Sequence, residues 1–207
     1  LIDELRGEGF TIASLDLGGG FGIHYKADEG LPASAFAEQI VPMLRDRNLG
    51  ITLEPGRYIA GNAGVLLTQV QYVKQGGKRR FVIVDAAMND LLRPSLYEAY
   101  HFIWPTRVDS AHVPPEVRSG AELFEDLTPV DVVGPICESG DFFAKDRPLP
   151  AVERGHRLAI FSAGAYGFAM ASQYNARPRP AEVLVDGEGY RVIRRRETYE
   201  DLVAHER

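Results

Sequence analysis

The stretch TIASLDLGGG, residues 11–20, decides the fold. Residues 11–17 read as a buried strand that opens directly into three glycines. Outward from it, residues 32–47 read as a helix with Pro32 in the first turn. Phe36, Ile40 and Leu44 share one face of that helix, and Pro42 is placed to kink it. Residues 50–53 then read as a second short buried strand that runs into Glu54-Pro55-Gly56-Arg57. Strand, helix and strand form one βαβ unit, which favours parallel pairing. Upstream, residues 1–6 read as the last turns of a helix stopped by Gly7 and Gly9.

Downstream the pattern changes. Residues 65–74 alternate as a strand, 75–78 read as a turn, and 79–84 return as the second arm of an antiparallel hairpin. Residues 127–133 and 158–162 read as further strands, and 183–194 as a last hairpin around Asp186-Gly187-Glu188-Gly189. Residues 198–205 read as a helix, with Thr198 and Asp201 spaced as a capping box. The α/β and mostly-β parts meet near 61–65. Two strand–helix units cannot close an eight-stranded barrel, so a barrel reading leaves most of that barrel outside these residues.

Composition narrows the function. The 207 residues are 45% hydrophobic and 25% charged, with a net charge of −6. The basic residues are dispersed apart from Arg194-Arg195-Arg196, which argues against a nucleic-acid partner. No apolar run reaches the roughly 20 residues that span a bilayer. One cysteine cannot build a disulfide framework and fits a reducing cytoplasm. Five scattered histidines offer no metal spacing.

Several short segments carry chemistry. Gly18, Gly19 and Gly20 end a strand, where backbone N–H groups can close on an anion such as phosphate; the plainer reading is a tight turn. Glu54 could hold a protonated ring nitrogen and Arg57 could pair with phosphate or carboxylate, or the two could form a surface ion pair. Arg93 and Tyr97, one helical turn apart, could grip a carboxylate together, although Tyr97 and Tyr100 could equally be core aromatics beside His101. The lone Cys137 follows a hydrophobic run and a Gly-Pro turn, with Glu138, Ser139 and Asp141 around it. A thiol there can donate a proton, although a lone cysteine is more commonly buried and inert. Tyr166 sits among small residues, either at a ligand or packed in a β-turn.

The order and wording of LDLGGGFGI (15–23), EPGRYIAGNAG (54–64), DAAMNDLLRPSLYEAYH (85–101), GPICESGD (134–141) and AGAYGFAMASQYN (163–175) resemble the diaminopimelate branch of the fold-type III pyridoxal-phosphate decarboxylases. The resemblance implies an α/β plus mostly-β architecture. Residues 1–62 would form the last strands of a (β/α)8 cofactor barrel, and 63–207 a β-rich, barrel- or sandwich-like C-terminal domain whose helix can return to the barrel. It implies pyridoxal 5'-phosphate held by Gly18, Gly19, Gly20, Glu54, Gly56, Arg57 and Tyr166. The substrate would be bound by Arg57, Arg93, Tyr97, Glu138 and Tyr166, and Cys137 would give the proton that replaces carbon dioxide. It further implies a homodimer in which the Cys137 loop completes the partner's site, with no metal.

The expected reaction is conversion of meso-2,6-diaminopimelate to lysine. Decarboxylation of ornithine, arginine or carboxynorspermidine is the alternative, and a non-catalytic regulatory relative is another. Lys26, Lys74, Lys78 and Lys145 all read as surface or turn lysines, not as the family's cofactor lysine. The chain is therefore expected to be a C-terminal portion that is inactive alone, with unpaired strand edges and apolar surface around residues 1–60.

Overall fold

The computed structural model describes residues 1–26, 30–114 and 124–206. Helix α1 (Ile2–Gly7) leads to strand β1 (Ser14–Asp16). Helix α2 (Ala33–Leu44) follows, with Pro32 just outside its first turn rather than within it. The helix continues past Pro42 and tightens into one 3-10 turn, Arg45–Arg47, which Asn48 ends in the left-handed region. Strand β2 (Gly50–Thr52) pairs parallel with β1, Ser14 opposite Gly50 and Asp16 opposite Thr52, as the βαβ reading expects. The expected burial of these strands does not hold. All of β2 is exposed, Ile51 by 43%, because among the described residues β1 and β2 form a two-stranded ribbon of their own. Parallel strands ordinarily have both faces covered.

Helix α3 (Gly56–Ala60) and a 3-10 turn, Gly61–Ala63, lead into the main sheet. Strand β3 (Leu66–Gly76) turns through Gly77 and Lys78 into β4 (Arg79–Val84). Gly77 takes φ +60°, as the tight turn requires. Short helix α4 (Arg93–Tyr97) precedes β5 (Ile103–Pro105). Strands β6 (Thr128–Val133), β7 (Phe142–Leu149) and β8 (Arg157–Ile160) complete a six-stranded sheet of order β5-β8-β3-β4-β6-β7. All its pairings are antiparallel except β4 with β6.

The sheet curls over one core. Trp104 of β5 and Phe143 and Leu149 of β7, from opposite ends of the strand order, join Val70, Val82, Val132, Leu158 and Ile160 in a single buried cluster. Phe102 and Trp104 stack with centroids 5.4 Å apart. No ladder joins β5 to β7; instead Arg147 of β7 donates to the His101 carbonyl at 2.6 Å, just ahead of β5. Pro148 and Pro105 fall on these edge strands, where a missing N–H breaks no ladder.

Strands β9 (Glu182–Asp186) and β10 (Gly189–Arg194) form the separate last hairpin. Helix α5 (Tyr199–Leu202) starts with the expected capping box between Thr198 and Asp201, but is shorter than the 198–205 reading. Glu197 ties this end down, accepting from Gln173 and from the backbone and guanidinium of Arg179, which hold its carboxyl down at about 2.

Candidate active site

The glycine run lies where β1 and β2 end together. Leu17 donates to the Thr52 carbonyl at 3.1 Å and Glu54 to the Gly18 carbonyl at 2.8 Å, so the two chain segments stay side by side past the strands. Gly18 and Gly20 take φ +67° and +88°, and nothing lies within 4 Å of where their Cβ atoms would be. A Cβ on Gly19 would stand 2.8 Å from the Glu54 carbonyl oxygen. These glycines therefore have backbone reasons to be glycine, and the space beside Gly18 and Gly20 is open. Exposed Glu54, Gly56 and Arg57 lie at the same strand end. That donor set, open glycine backbone with a carboxylate and a guanidinium at the same strand end, fits a phosphate-bearing cationic heterocycle.

Tyr166 is brought to this end by a backbone-to-backbone junction. Ala163 donates to the Gly64 carbonyl at 2.8 Å and Gly164 to the Gly61 carbonyl at 3.1 Å. The buried Ser162 hydroxyl donates to Asn62 Oδ1 at 2.7 Å. Ser162 and Tyr166 both sit at left-handed φ, +57° and +59°, an uncommon state for residues with side chains that the surrounding contacts impose. The Arg57 guanidinium consequently stands 5.6 Å from the Tyr166 ring centroid, within cation–π range. Two segments about 100 residues apart in sequence are thus joined.

Arg93 and Tyr97 are not brought together. Arg93 is 7% exposed and Tyr97 62%, so the expectation that they point the same way fails: one helical turn lets Arg93 turn inward while Tyr97 faces out. Arg93 Nη1 lies 3.0 Å from His101 Nε2, and its guanidinium lies 5.1 Å from the Tyr25 ring. His101 is fully buried, and its Nδ1 lies 2.8 Å from the Phe161 carbonyl oxygen. A carbonyl can only accept, so Nδ1 carries the proton and Nε2 offers its lone pair to Arg93. Burial, followed by the nearby Arg93 and Arg147 charges, pushes the imidazole down to about 4. Arg93 lines a cavity of about 320 Å³ with Tyr25, Lys26, Ala99 and Tyr100. The roles of Tyr25 and His101 escaped sequence reasoning, since no local spacing links either to residue 93.

Cys137 is exposed, together with Glu138, so the buried and inert alternative does not apply. Glu138 accepts from Gly140 N–H at 3.1 Å and from the Tyr174 hydroxyl at 3.4 Å. The loop is fixed from beneath by Asp141. This buried carboxylate accepts from Met88 N–H and Ile136 N–H, each at 2.7 Å. Burial pushes its carboxyl above the usual range, against the pull of those two donors. Ser95 of α4 donates to the Gly140 carbonyl at 2.5 Å. The Cys137 loop and the Arg93 helix are therefore one mechanical unit. Among the described residues, no side-chain hydrogen bond links 134–141 to the glycine run or to 54–57.

Replacing Asp141 by alanine strands both amides in a buried place and should cost about 2–3 kcal/mol. The expected sign is faster hydrogen exchange at Met88 and Ile136 with little change in the β3–β4 hairpin. Unchanged exchange at both amides would refute this account of the loop.

A parallel strand pair ending in a glycine run, joined to a curled β-sheet that carries an exposed thiol loop, defines a mixed α/β and β protein. The chain belongs to the pyridoxal-dependent decarboxylases, whose C-terminal sheet domain matches residues 12–164. It is 51% identical over 206 residues to a diaminopimelate decarboxylase from Neisseria meningitidis serogroup A, covering 100% of this chain and 47% of that protein. It is 48% identical over 204 residues to one from Aquifex aeolicus, covering 98% and 45%. Among solved structures, diaminopimelate decarboxylase from Helicobacter pylori complexed with L-lysine superposes with a TM-score of 0.84 at 43% identity, covering 99% of this chain and 47% of that one. A crystal structure from Aquifex aeolicus gives 0.88 at 47% identity, covering 98% and 47%. The chain spans about half the length of the curated relatives it matches.

Proposed function

We propose that this chain supplies the C-terminal part of a site that decarboxylates meso-2,6-diaminopimelate to L-lysine with pyridoxal 5'-phosphate. The observation that carries the reading is the meeting of Arg57 with Tyr166 beside the open glycine run, across the Gly64–Gly164 junction. The change from a parallel ribbon to the six-stranded sheet near Gly61–Ala63 supports a division into 1–62 and 63–207.

When bound, the cofactor is the electron sink that makes loss of carbon dioxide from an amino acid feasible. Gly18, Gly19 and Gly20 leave room for its phosphate, and Glu54 holds the protonated ring nitrogen. Gly56, Arg57 and Tyr166 hold phosphate and the near end of the substrate. Arg93 holds the distal carboxylate from inside the cavity. Glu138 takes the distal ammonium. Cys137 gives its Sγ proton to the carbon that has lost carbon dioxide, and the thiolate recovers a proton from water.

In a homodimer the exposed Cys137 loop would serve the partner's site. The single exposed thiol supports a reducing cytoplasmic setting. Among the described residues, no helix is long and apolar enough to cross a membrane.

Lys26 stands over Tyr100, Lys145 over Phe142, Lys74 lies in β3 and Lys78 in the hairpin turn. None serves the glycine run, which favours a cofactor lysine from polypeptide beyond these residues. The 207-residue chain alone should release no carbon dioxide. The deciding assay follows carbon dioxide and lysine release from meso-diaminopimelate by the longest reading frame containing this sequence, loaded with cofactor, with ornithine and arginine in parallel. Cys137→Ala in that protein should lower kcat by about 10²-fold or more and leave KM within a few-fold. Turnover of ornithine or arginine instead would move the substrate. No turnover of any would favour a regulatory relative.

A further inference from the structure

We propose that His101 is a positioning residue, a neutral hydrogen-bond acceptor that aims the Arg93 guanidinium while leaving its positive charge free for a substrate carboxylate. The inference rests on the reading of Arg93 given under the proposed function.

Three observations carry it. First, the ring has no rotational choice: Nδ1–H is committed to the Phe161 carbonyl at 2.8 Å, so the Nε2 lone pair must face Arg93 Nη1 at 3.0 Å. Second, Arg93 is almost wholly buried, and among the described residues its partners are this imidazole and the Tyr25 ring, with no carboxylate. A buried guanidinium is ordinarily paired with an acid. Aspartate or glutamate at this place would orient Arg93 equally well, but would cancel its charge and compete with an incoming anion. Third, among the described residues the charges that stand around this pair are cationic. Arg147 donates to the His101 carbonyl at 2.6 Å, and both Arg147 and Lys26 stand over the Tyr100 ring, at 4.1 and 4.7 Å from its centroid. The cavity that Arg93 lines opens onto Lys26 and Tyr100. A proton on Nε2 would aim one donor at another and drive the guanidinium from its place.

The test uses L-lysine, which retains the distal carboxylate of diaminopimelate, and 1,5-diaminopentane, which has none. Both are titrated calorimetrically into the cofactor-loaded protein encoded by the longest reading frame containing this sequence. His101→Leu removes the acceptor and should weaken L-lysine about tenfold while leaving 1,5-diaminopentane within about twofold. His101→Gln restores an acceptor near the Nε2 position and should keep both ligands within about threefold of the parent. Independently of any ligand, nitrogen-15 NMR of the imidazole should show Nδ1 protonated and Nε2 bare between pH 5.5 and 8. The role is overturned if the parent binds L-lysine and His101→Leu binds it equally well. It is overturned too if both ligands weaken in parallel in both variants, or if the proton resides on Nε2. If the tautomer is as stated but the parent binds no L-lysine, the reading of Arg93 as a carboxylate site fails, and the positioning role fails with it.

Discussion

Gly164→Ala should unfold the junction that carries Tyr166, at a cost of about 4 kcal/mol or more. The added Cβ would stand 1.9 Å from the Ala60 carbonyl oxygen and 2.8 Å from the Gly64 nitrogen. Both obstacles are backbone, so no side-chain rotation relieves them. The facing Gly64 is equally constrained, its own Cβ position lying 2.6 Å from Gly164 Cα. The turn at 163–167 must therefore lift off the turn at 61–64. It would lose the Ala163 and Gly164 N–H bonds at 2.8 and 3.1 Å and draw Tyr166 away from Arg57. Gly187→Ala, at φ +57° in the last hairpin with open space around it, is the control and should cost about 1 kcal/mol from backbone strain alone. Urea midpoints compare the two. A Gly164→Ala protein as stable as the control would disprove the close approach.

The second large effect is acid destabilisation through His101. Unfolded, its imidazole takes a proton near 6.5; folded, only near 4. As pH falls between those values the unfolded state binds more protons, so stability is lost, by roughly 3 kcal/mol if the whole window is traversed. The groups facing the ring explain the direction. Burial opposes the charged form, and Arg93 and Arg147 repel it. His112 works the other way: Asp126 and Asp109 raise its pKa, and its contribution is lost as pH rises. The informative quantity is thus the difference between the parent and His101→Leu. At pH 8 the variant should be less stable by about 2 kcal/mol, because Arg93 and the Phe161 carbonyl lose a partner. By pH 4 that gap should close or reverse. A difference in urea midpoint that stays constant from pH 8 to 4 would contradict the burial of a neutral imidazole.

Local signals were legible in the sequence and distant ones were not. The β3–β4 hairpin follows from alternation broken by Gly76-Gly77, and the Thr198–Asp201 capping box lies within one turn of chain. Strand β7 was missed because Lys145, Asp146, Arg147 and Pro148 erase any period-two pattern. It exists because β6 offers an edge that tolerates Pro148 and the left-handed Asp146 at φ +49°. Strand β5 has three residues, ends in Pro105 and carries no periodicity at all. In the site, the glycine run and Glu54-Pro55-Gly56-Arg57 were legible because strand ends announce them. The pairing of Arg93 with His101 instead of Tyr97, and the grip of Asp141 on Met88 across 53 residues, depend on how the sheet curls. No window of sequence contains that curl.

The Asp141 clamp also bears on how such a protein can change over time. Its carboxylate holds main-chain N–H groups, and Ser95 holds a main-chain carbonyl. Peptide groups are common to every residue, so the clamp asks nothing of the Met88 side chain and needs none at Gly140. The constraint gathers instead on Asp141, Ser95 and Gly134, whose Cβ would meet the Asp141 carboxylate at 2.4 Å. Three positions therefore secure the loop from beneath, and the chemistry carried by the exposed Cys137 and Glu138 can change without rebuilding that foundation.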